Sequence, residues 1–275
     1  MLASLSTFVG CVNKISGKFN PSVNLSWKVG IGADASVSSG NMSTDGTNLF
    51  FPTSLGTGIR CVNISTAVLT TFANSTLSTA FSCLVVGSTL YVDDNIAQKI
   101  LQFGVASTPP VAGSSWFAPT SPPLNYPELL CADSSFLYIT NVGTGTVQRL
   151  QMISSPHIDT AWNPTTFSYG LNSTIYSNGY VYVSQSTTKT IFKISTSTAA
   201  VSTLITLASA PKSLAIYGGF MYISVGTNIY LLNMSTLELR TDYVSGLSTT
   251  SGCCCIANGD LYVMNTGSIA KIQCQ

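Results

Sequence analysis

Few residues in this chain could do chemistry. There are 10 acidic side chains in 275 residues, and Glu128 and Glu238 are the only glutamates. Two carboxylates stand side by side once, at Asp93-Asp94. A carboxylate pair does acid–base work when its surroundings push the two proton affinities apart. At the end of an extended segment, however, Asp more simply accepts hydrogen bonds from loop amides. Glu128 follows Pro127 and reads as a loop residue, and Glu238 reads as part of an outer connection. The single histidine, His157 in Ser-Ser-Pro-His-Ile-Asp159, lies in a loop, where a lone His is more often a bystander than a general base. There is neither a Gly-X-Ser-X-Gly elbow nor a phosphate loop. No catalytic residue and no cofactor is expected.

Eight cysteines, Cys11, Cys61, Cys83, Cys131, Cys253, Cys254, Cys255 and Cys274, are an even number without Cys-X-X-Cys or Cys/His zinc spacing. Disulfides are the expectation, and no metal site. In Cys253-Cys254-Cys255 alternate residues on a strand would face opposite ways, so the three cannot serve one metal from one face.

Charged residues make up 8% of the chain, against about 25% in ordinary domains, while Ser and Thr supply 72 positions. The net charge of +1 provides no footprint for nucleic acid or anionic lipid. No run approaches the roughly 18 apolar residues of a membrane span. Six Asn-X-Ser/Thr sequons, at Asn24, Asn41, Asn63, Asn74, Asn172 and Asn233, are expected to carry glycans if the chain is extracellular. Residues 1–9 lack the basic and apolar regions of a signal peptide.

These residues are placed by a repeat. The phrases Asn48-Leu-Phe-Phe51, Thr89-Leu-Tyr-Val92, Phe136-Leu-Tyr-Ile139, Tyr180-Val-Tyr-Val183, Phe220-Met-Tyr-Ile223 and Asp260-Leu-Tyr-Val263 recur at 40 to 47 residues. Their third-place aromatics are Phe50, Tyr91, Tyr138, Tyr182, Tyr222 and Tyr262. That period suits one four-stranded propeller blade. A turn dipeptide such as Asn178-Gly179 precedes each phrase, a short apolar run precedes the turn, and a third strand follows, over 59–64, 99–103, 146–150, 190–194, 228–232 and 268–273. A fourth, more variable strand follows in most copies. The expectation is one domain over 1–275, an all-β, six-bladed propeller of four-stranded antiparallel blades. The last copy ends after its third strand, so residues 1–35 are expected to complete the sixth blade. A Cys11–Cys274 disulfide would accompany that closure. The inner strands then carry Cys83, Cys131 and Cys255, and Asp133 is the carboxylate placed nearest the channel.

The segment Leu90-Tyr-Val-Asp-Asp-Asn-Ile-Ala-Gln-Lys-Ile100 resembles an NHL-type propeller repeat, with weaker versions at 137–150 and 261–272. The fifth-place Asp survives as Asp94 and is replaced by Asn141, Gln185, Val225 and Asn265. The resemblance implies the fold and, broadly, a binding platform for protein, RNA or glycan, or sometimes a hydrolase. Hydrolytic propellers of the lactonase and strictosidine-synthase kind hold a metal with acids and amides at one channel mouth. Here Asp133 with Asn258 would be a thin set. The function expected is a non-enzymatic, secreted glycoprotein, a structural building block or interaction platform that partners itself, as in a coat or fibre, other extracellular proteins or glycans, with no nucleic acid and no membrane insertion. The alternatives are a metal-dependent hydrolase and a lectin-like binder using Trp27, Trp116 or Trp162.

Overall fold

The computed structural model describes residues 21–29, 41–53, 58–73, 77–105, 111–119, 123–247, 250–265 and 267–275. The described elements are 23 strands, opened by β1 (Val23–Val29). Blade 1 follows as β2 (Ser43–Thr44), β3 (Asn48–Pro52), β4 (Gly58–Asn63) and β5 (Leu69–Ala73). Blade 2 is β6 (Cys83–Val86), β7 (Thr89–Asp94), β8 (Lys99–Gly104) and β9 (Val111–Phe117). Blade 3 has β10 (Pro127–Ala132), β11 (Phe136–Asn141) and β12 (Thr146–Gln151). Blade 4 is β13 (Leu171–Ser177), β14 (Tyr180–Gln185), β15 (Thr190–Ser195) and β16 (Val201–Thr206). Blade 5 is β17 (Leu214–Tyr217), β18 (Phe220–Val225), β19 (Asn228–Asn233) and β20 (Leu239–Val244). Blade 6 holds β21 (Thr250–Ala257), β22 (Asp260–Asn265) and β23 (Ser268–Gln273). All neighbours pair antiparallel, and β1 lies against β23 as the outermost strand of blade 6, with Val23 opposite Ile272 and Val29 opposite Ser268.

The first strands of the blades touch in order, β2 to β6, β10, β13, β17 and β21, and β21 returns to β2, so the sheets form a ring around an axis. In every blade the N–H just after the third strand reaches back to the inner hairpin turn, from Ile64, Val105, Met152, Thr196, Met234 and Cys274 to the carbonyls of Thr47, Ser88, Ser135, Gly179, Gly219 and Gly259. The repeat of the sequence is therefore also a repeat of hydrogen bonds.

There is no single core. Six buried clusters fill six seams between blades, and strand alternation assigns the residues. The third-place aromatic of each phrase packs toward the next blade, while its neighbours on either side pack toward the previous one. Tyr222 of blade 5 thus meets Leu261 and Val263 of blade 6, and Tyr262 of blade 6 meets Leu49 and Phe51 of blade 1. The same holds for Phe50, Tyr91, Tyr138 and Tyr182.

Blade 3 departs from the expected four strands. Its outer place holds one bridge, Leu150 opposite Ile158, with Gln151 N–H donating to His157 and Asp159 N–H to Arg149. Pro156 and Pro164 flank this stretch and lack the N–H a ladder needs. Side chains cover the edge instead. The Arg149 guanidinium pairs with Asp159 at 2.6 Å and lies 4.2 Å from the Phe136 ring centre. Trp162 is buried edge-on against Tyr138 and donates its indole N–H to Ser195 O in blade 4. Outer aromatics of three other blades repeat the contact, with Trp116 on Tyr91, Trp27 on Tyr262 and Tyr243 on Tyr222, all edge-on with centroids 4.8 to 5.6 Å apart. The three Trp residues serve blade packing rather than an exposed sugar platform.

Seven cysteines are described, and all are buried free thiols, so the disulfides expected from the even count are absent among the described residues. Cys61 and Cys83 lie in the seam between blades 1 and 2, Cys253 and Cys255 between blades 6 and 1, Cys254 and Cys274 between blades 5 and 6, and Cys131 between blades 3 and 4. Each takes the place of a small apolar side chain. Cys254 does face away from its two neighbours. Cys11, and with it the Cys11–Cys274 pairing, lies outside the described residues.

Candidate functional site: the axial cavity and its polar mouth

The inner strands of all six blades enclose a cavity of about 210 Å³. Its wall is apolar, with Met42, Leu84, Leu130, Ile175, Leu214 and Ile256 among the lining residues, and none of the lining residues is charged. Ligand pockets usually measure about 300–1,000 Å³, so this one falls below that range. Cys131, Cys254 and Cys255 also line it. Burial pushes the Cys254 thiol up to about 12 and raises Cys131 and Cys255 as well. Near neutral pH these thiols keep their protons and are poor nucleophiles and poor metal ligands.

One end of the cavity is closed by Asn41, just before β2. Its Nδ2 donates across the axis to Leu130 O in blade 3 and Thr174 O in blade 4, both at 3.1 Å. Its Oδ1 accepts from Ser173 Oγ, whose oxygen in turn receives the Leu214 N–H. Blade 1 is thereby tied to blades 3, 4 and 5 through one buried amide. An N-linked glycan is carried on this same nitrogen, so the expected glycan at Asn41 has no place in this fold.

Among the described residues, the sequons at Asn24, Asn63, Asn172 and Asn233 do not line the cavity. Asn24 is exposed on β1. Asn63 and Asn233 close the outer hairpins of blades 1 and 5, where the carboxamide oxygen accepts the N–H groups two and three residues on. Ser195 stands at the same place in blade 4, and its hydroxyl accepts from Thr198 N–H. In all three the fifth residue, Ala67, Leu237 or Ala199, adopts a left-handed φ of 54 to 58°. Turn chemistry accounts for Asn-X-Ser-Thr there. Asn172 is half-buried and donates to Pro211 O, and Asn74 lies outside the described residues.

A second set of polar groups sits at the end where the inner strands begin. The fifth place of the NHL-type repeat, counted from Leu90 and its counterparts, pins the chain entering the same blade. Asp94 accepts from the backbone and hydroxyl of Ser78 and from Thr79 and Ala97 N–H, Asn141 accepts from Asn125 N–H, and Gln185 donates to Ser168. These bonds hold Asp94 below the usual carboxylate range despite its burial. The fourth place faces the next blade and is a buried hydroxyl in three copies, Thr140, Ser184 and Ser224. In blade 2 it is Asp93, fully buried and pushed well above the usual carboxylate range by that burial.

Glu128, expected in a loop, lies instead on the innermost strand β10. Burial raises it to about 7, while its acceptor bond from Asn95 Nδ2 works the other way. Its charge adds to the upward shift of Asp93. The structure therefore brings Asp93 and Glu128 to one seam. Asp133 and Asn258, by contrast, sit on the inner hairpin turns of blades 3 and 6, three blades apart. Asp133 is used up locally, accepting from Ser135 and Phe136 N–H and from the Tyr138 hydroxyl at 2.6 Å. Asn258 donates to Gly46 O of the blade 1 turn. His157 and Glu238 are exposed at the outer edge. Among the described residues no three His, Cys, Asp or Glu side chains converge as a metal set.

No protein-family model matches the chain, and no curated protein is similar in sequence. Solved structures do match in shape. A Bacteroides thetaiotaomicron protein of unknown function aligns with 12% identity and a TM-score of 0.70 over 86% of this chain and 69% of its own. Virginiamycin B lyase from Staphylococcus aureus aligns with 11% identity and a TM-score of 0.63 over 93% of this chain and 100% of its own. The nidogen/laminin complex aligns with 12% identity and a TM-score of 0.64, covering 79% and 85%. At such identities the likeness is one of fold, and the fold it supports is the six-bladed β-propeller that the NHL-type repeat implied.

Proposed function

We propose that this chain is a non-enzymatic, extracellular propeller that acts through its outer faces as an interaction platform and a self-associating building block. The observation that carries this reading is the axial cavity, which is small, is lined by no charged residue and is crossed by the Asn41 amide. Asp133, the carboxylate placed nearest the channel in expectation, caps a turn instead. One similar structure is of a catalytically inactive virginiamycin B lyase with quinupristin. The one histidine here, His157, stands exposed at the outer edge of blade 3, far from the axis.

The faces offer more. Ile96, Tyr126 and Tyr169 are 65%, 51% and 73% exposed, and all three lie at the end where the inner strands of blades 2, 3 and 4 begin. Tyr126 holds a left-handed φ of 49°, which costs a bulky residue energy and presents its ring outward. With a net charge of +1, little repulsion opposes contact between copies. Structures of similar shape come from protein complexes, the nidogen/laminin complex and the mitotic checkpoint complex. In an extracellular setting Asn24 is the most exposed sequon among the described residues.

Light scattering at rising concentration, with electron microscopy of the same samples, tests the assembly. The protein is expected to form higher species that the double variant Tyr126→Ser, Tyr169→Ser weakens. A parent chain that stays monomeric at high concentration without filaments overturns the self-association.

A further inference from the structure

Independently of what the faces bind, we infer that the seam between blades 2 and 3 is a calcium site built from Asp93, Ser82 and Glu128. Asp93 fills a place taken by buried hydroxyls in blades 3, 4 and 5, so blade 2 alone among these puts a carboxylate there. One of its oxygens, Oδ1, accepts the Phe81 and Ser82 N–H groups at 2.9 and 2.6 Å. The other, Oδ2, is fully buried without a hydrogen-bond partner, and so is Ser82 Oγ. Ser82 is the cross-strand neighbour of Asp93, since Asp93 N–H donates to Ser82 O. Cross-strand neighbours project from the same face of a sheet. The fourth place faces the following blade, so both orphaned oxygens point toward blade 3. There, β10 presents Glu128, steadied by Asn95 Nδ2 at 3.3 Å.

An orphaned buried acceptor costs about as much as a lost hydrogen bond, and a buried carboxylate without a counter-charge costs far more. Lys99 lies 3.9 Å from the neighbouring Asp94. Asp94 is itself saturated by Ser78, Thr79 and Ala97. A single ion among Asp93 Oδ2, Ser82 Oγ and the Glu128 carboxylate would satisfy all three at once. The donors are all oxygen, which suits a hard cation and excludes zinc by preference. Calcium accepts an irregular shell completed by backbone carbonyls and water, whereas magnesium demands a near-octahedral one. None of the three residues lines the axial cavity, so the ion's role is to hold two blades together rather than to meet a substrate.

The test is the melting temperature of the chelator-treated protein in calcium chloride, magnesium chloride and choline chloride at equal ionic strength, with calorimetric titration of calcium. A saturable rise specific to calcium is expected, because a ligand bound only by the folded state stabilises it by mass action. Asp93→Ser, which installs the residue found at this place in blades 4 and 5, is expected to fold and to lose the response. Ser82→Ala is expected to weaken calcium affinity about tenfold or more. A parent protein whose melting temperature is indifferent to calcium overturns the site. So does a rise that magnesium reproduces, or that Asp93→Ser and Ser82→Ala both retain.

Discussion

A single amide does unusual work at the axis. Asn41 satisfies carbonyls of two blades that lie across the ring from its own, and Asn41→Ala would leave Leu130 O and Thr174 O facing an apolar cavity. The expected loss is about 1–3 kcal/mol, read as a lower denaturation midpoint at unchanged slope. A midpoint equal to the parent's would mean that the amide contributes nothing. Nothing in Asn-Met-Ser distinguishes this residue from an exposed glycan acceptor, because its partners lie 89 and 133 residues away. Glu128 was misplaced for a related reason. Pro127 signals a break, yet here it sits at the first position of a strand, where its missing N–H is tolerated. The cysteines were legible in position but not in chemistry. Their places on inner strands followed from counting back from the aromatics, whereas thiol against disulfide depends on which seam each side chain enters. Peptide mapping after iodoacetamide at pH 8 is expected to find all seven described thiols protected in the native protein and labelled after unfolding, because burial raises their proton affinity and blocks access.

At the level of the strand and blade, the inner hairpins could be read almost residue by residue, since the phrase, its turn and its third strand recur. The outer strands could not. What recurs there is one aromatic ring set edge-on against the phrase aromatic, and it comes from Trp27, Trp116, Trp162 or Tyr243 at no fixed spacing. Trp162→Ala is expected to cost about 3–5 kcal/mol, and thermal unfolding measures it. A shift of less than a degree or two would show that the Arg149 cover suffices alone. That cover has a pH dependence of known sign. The Arg149 hydrogen bond holds Asp159 below the usual carboxylate range. Its contribution is therefore present above the unfolded-state value and is lost as pH falls through the folded-state value. Comparing melting temperatures of the parent and Asp159→Asn between pH 6 and pH 2 should show an advantage for the parent at pH 6 that vanishes in acid.

Across the whole molecule, stability is divided among six seams, and blade 6 combines the last three strands of the chain with β1. Val23 of β1 stands opposite Ile272 of β23 in an antiparallel pair. Deleting residues 21–29 would bare the backbone edge of β23 and uncover Tyr262, on which Trp27 rests. The truncated chain is expected to melt lower and to associate through that edge, as size-exclusion chromatography and thermal unfolding would reveal. Retention of the parent's melting temperature and elution volume would contradict it.

The reach of Asn41 also sets a schedule for synthesis. As the chain leaves the ribosome from its N-terminus, blade 1 can pair its own strands early, but the amide that seals the axis must wait until residues of blades 3 and 4 have emerged. Until then the growing arc stays open on the side of its future axis, with the inner faces of the early blades in water. Most of the molecule must therefore be made before the step that secures the ring can occur, which makes the half-made arc the interval in which this sparsely charged protein most needs protection from its own kind.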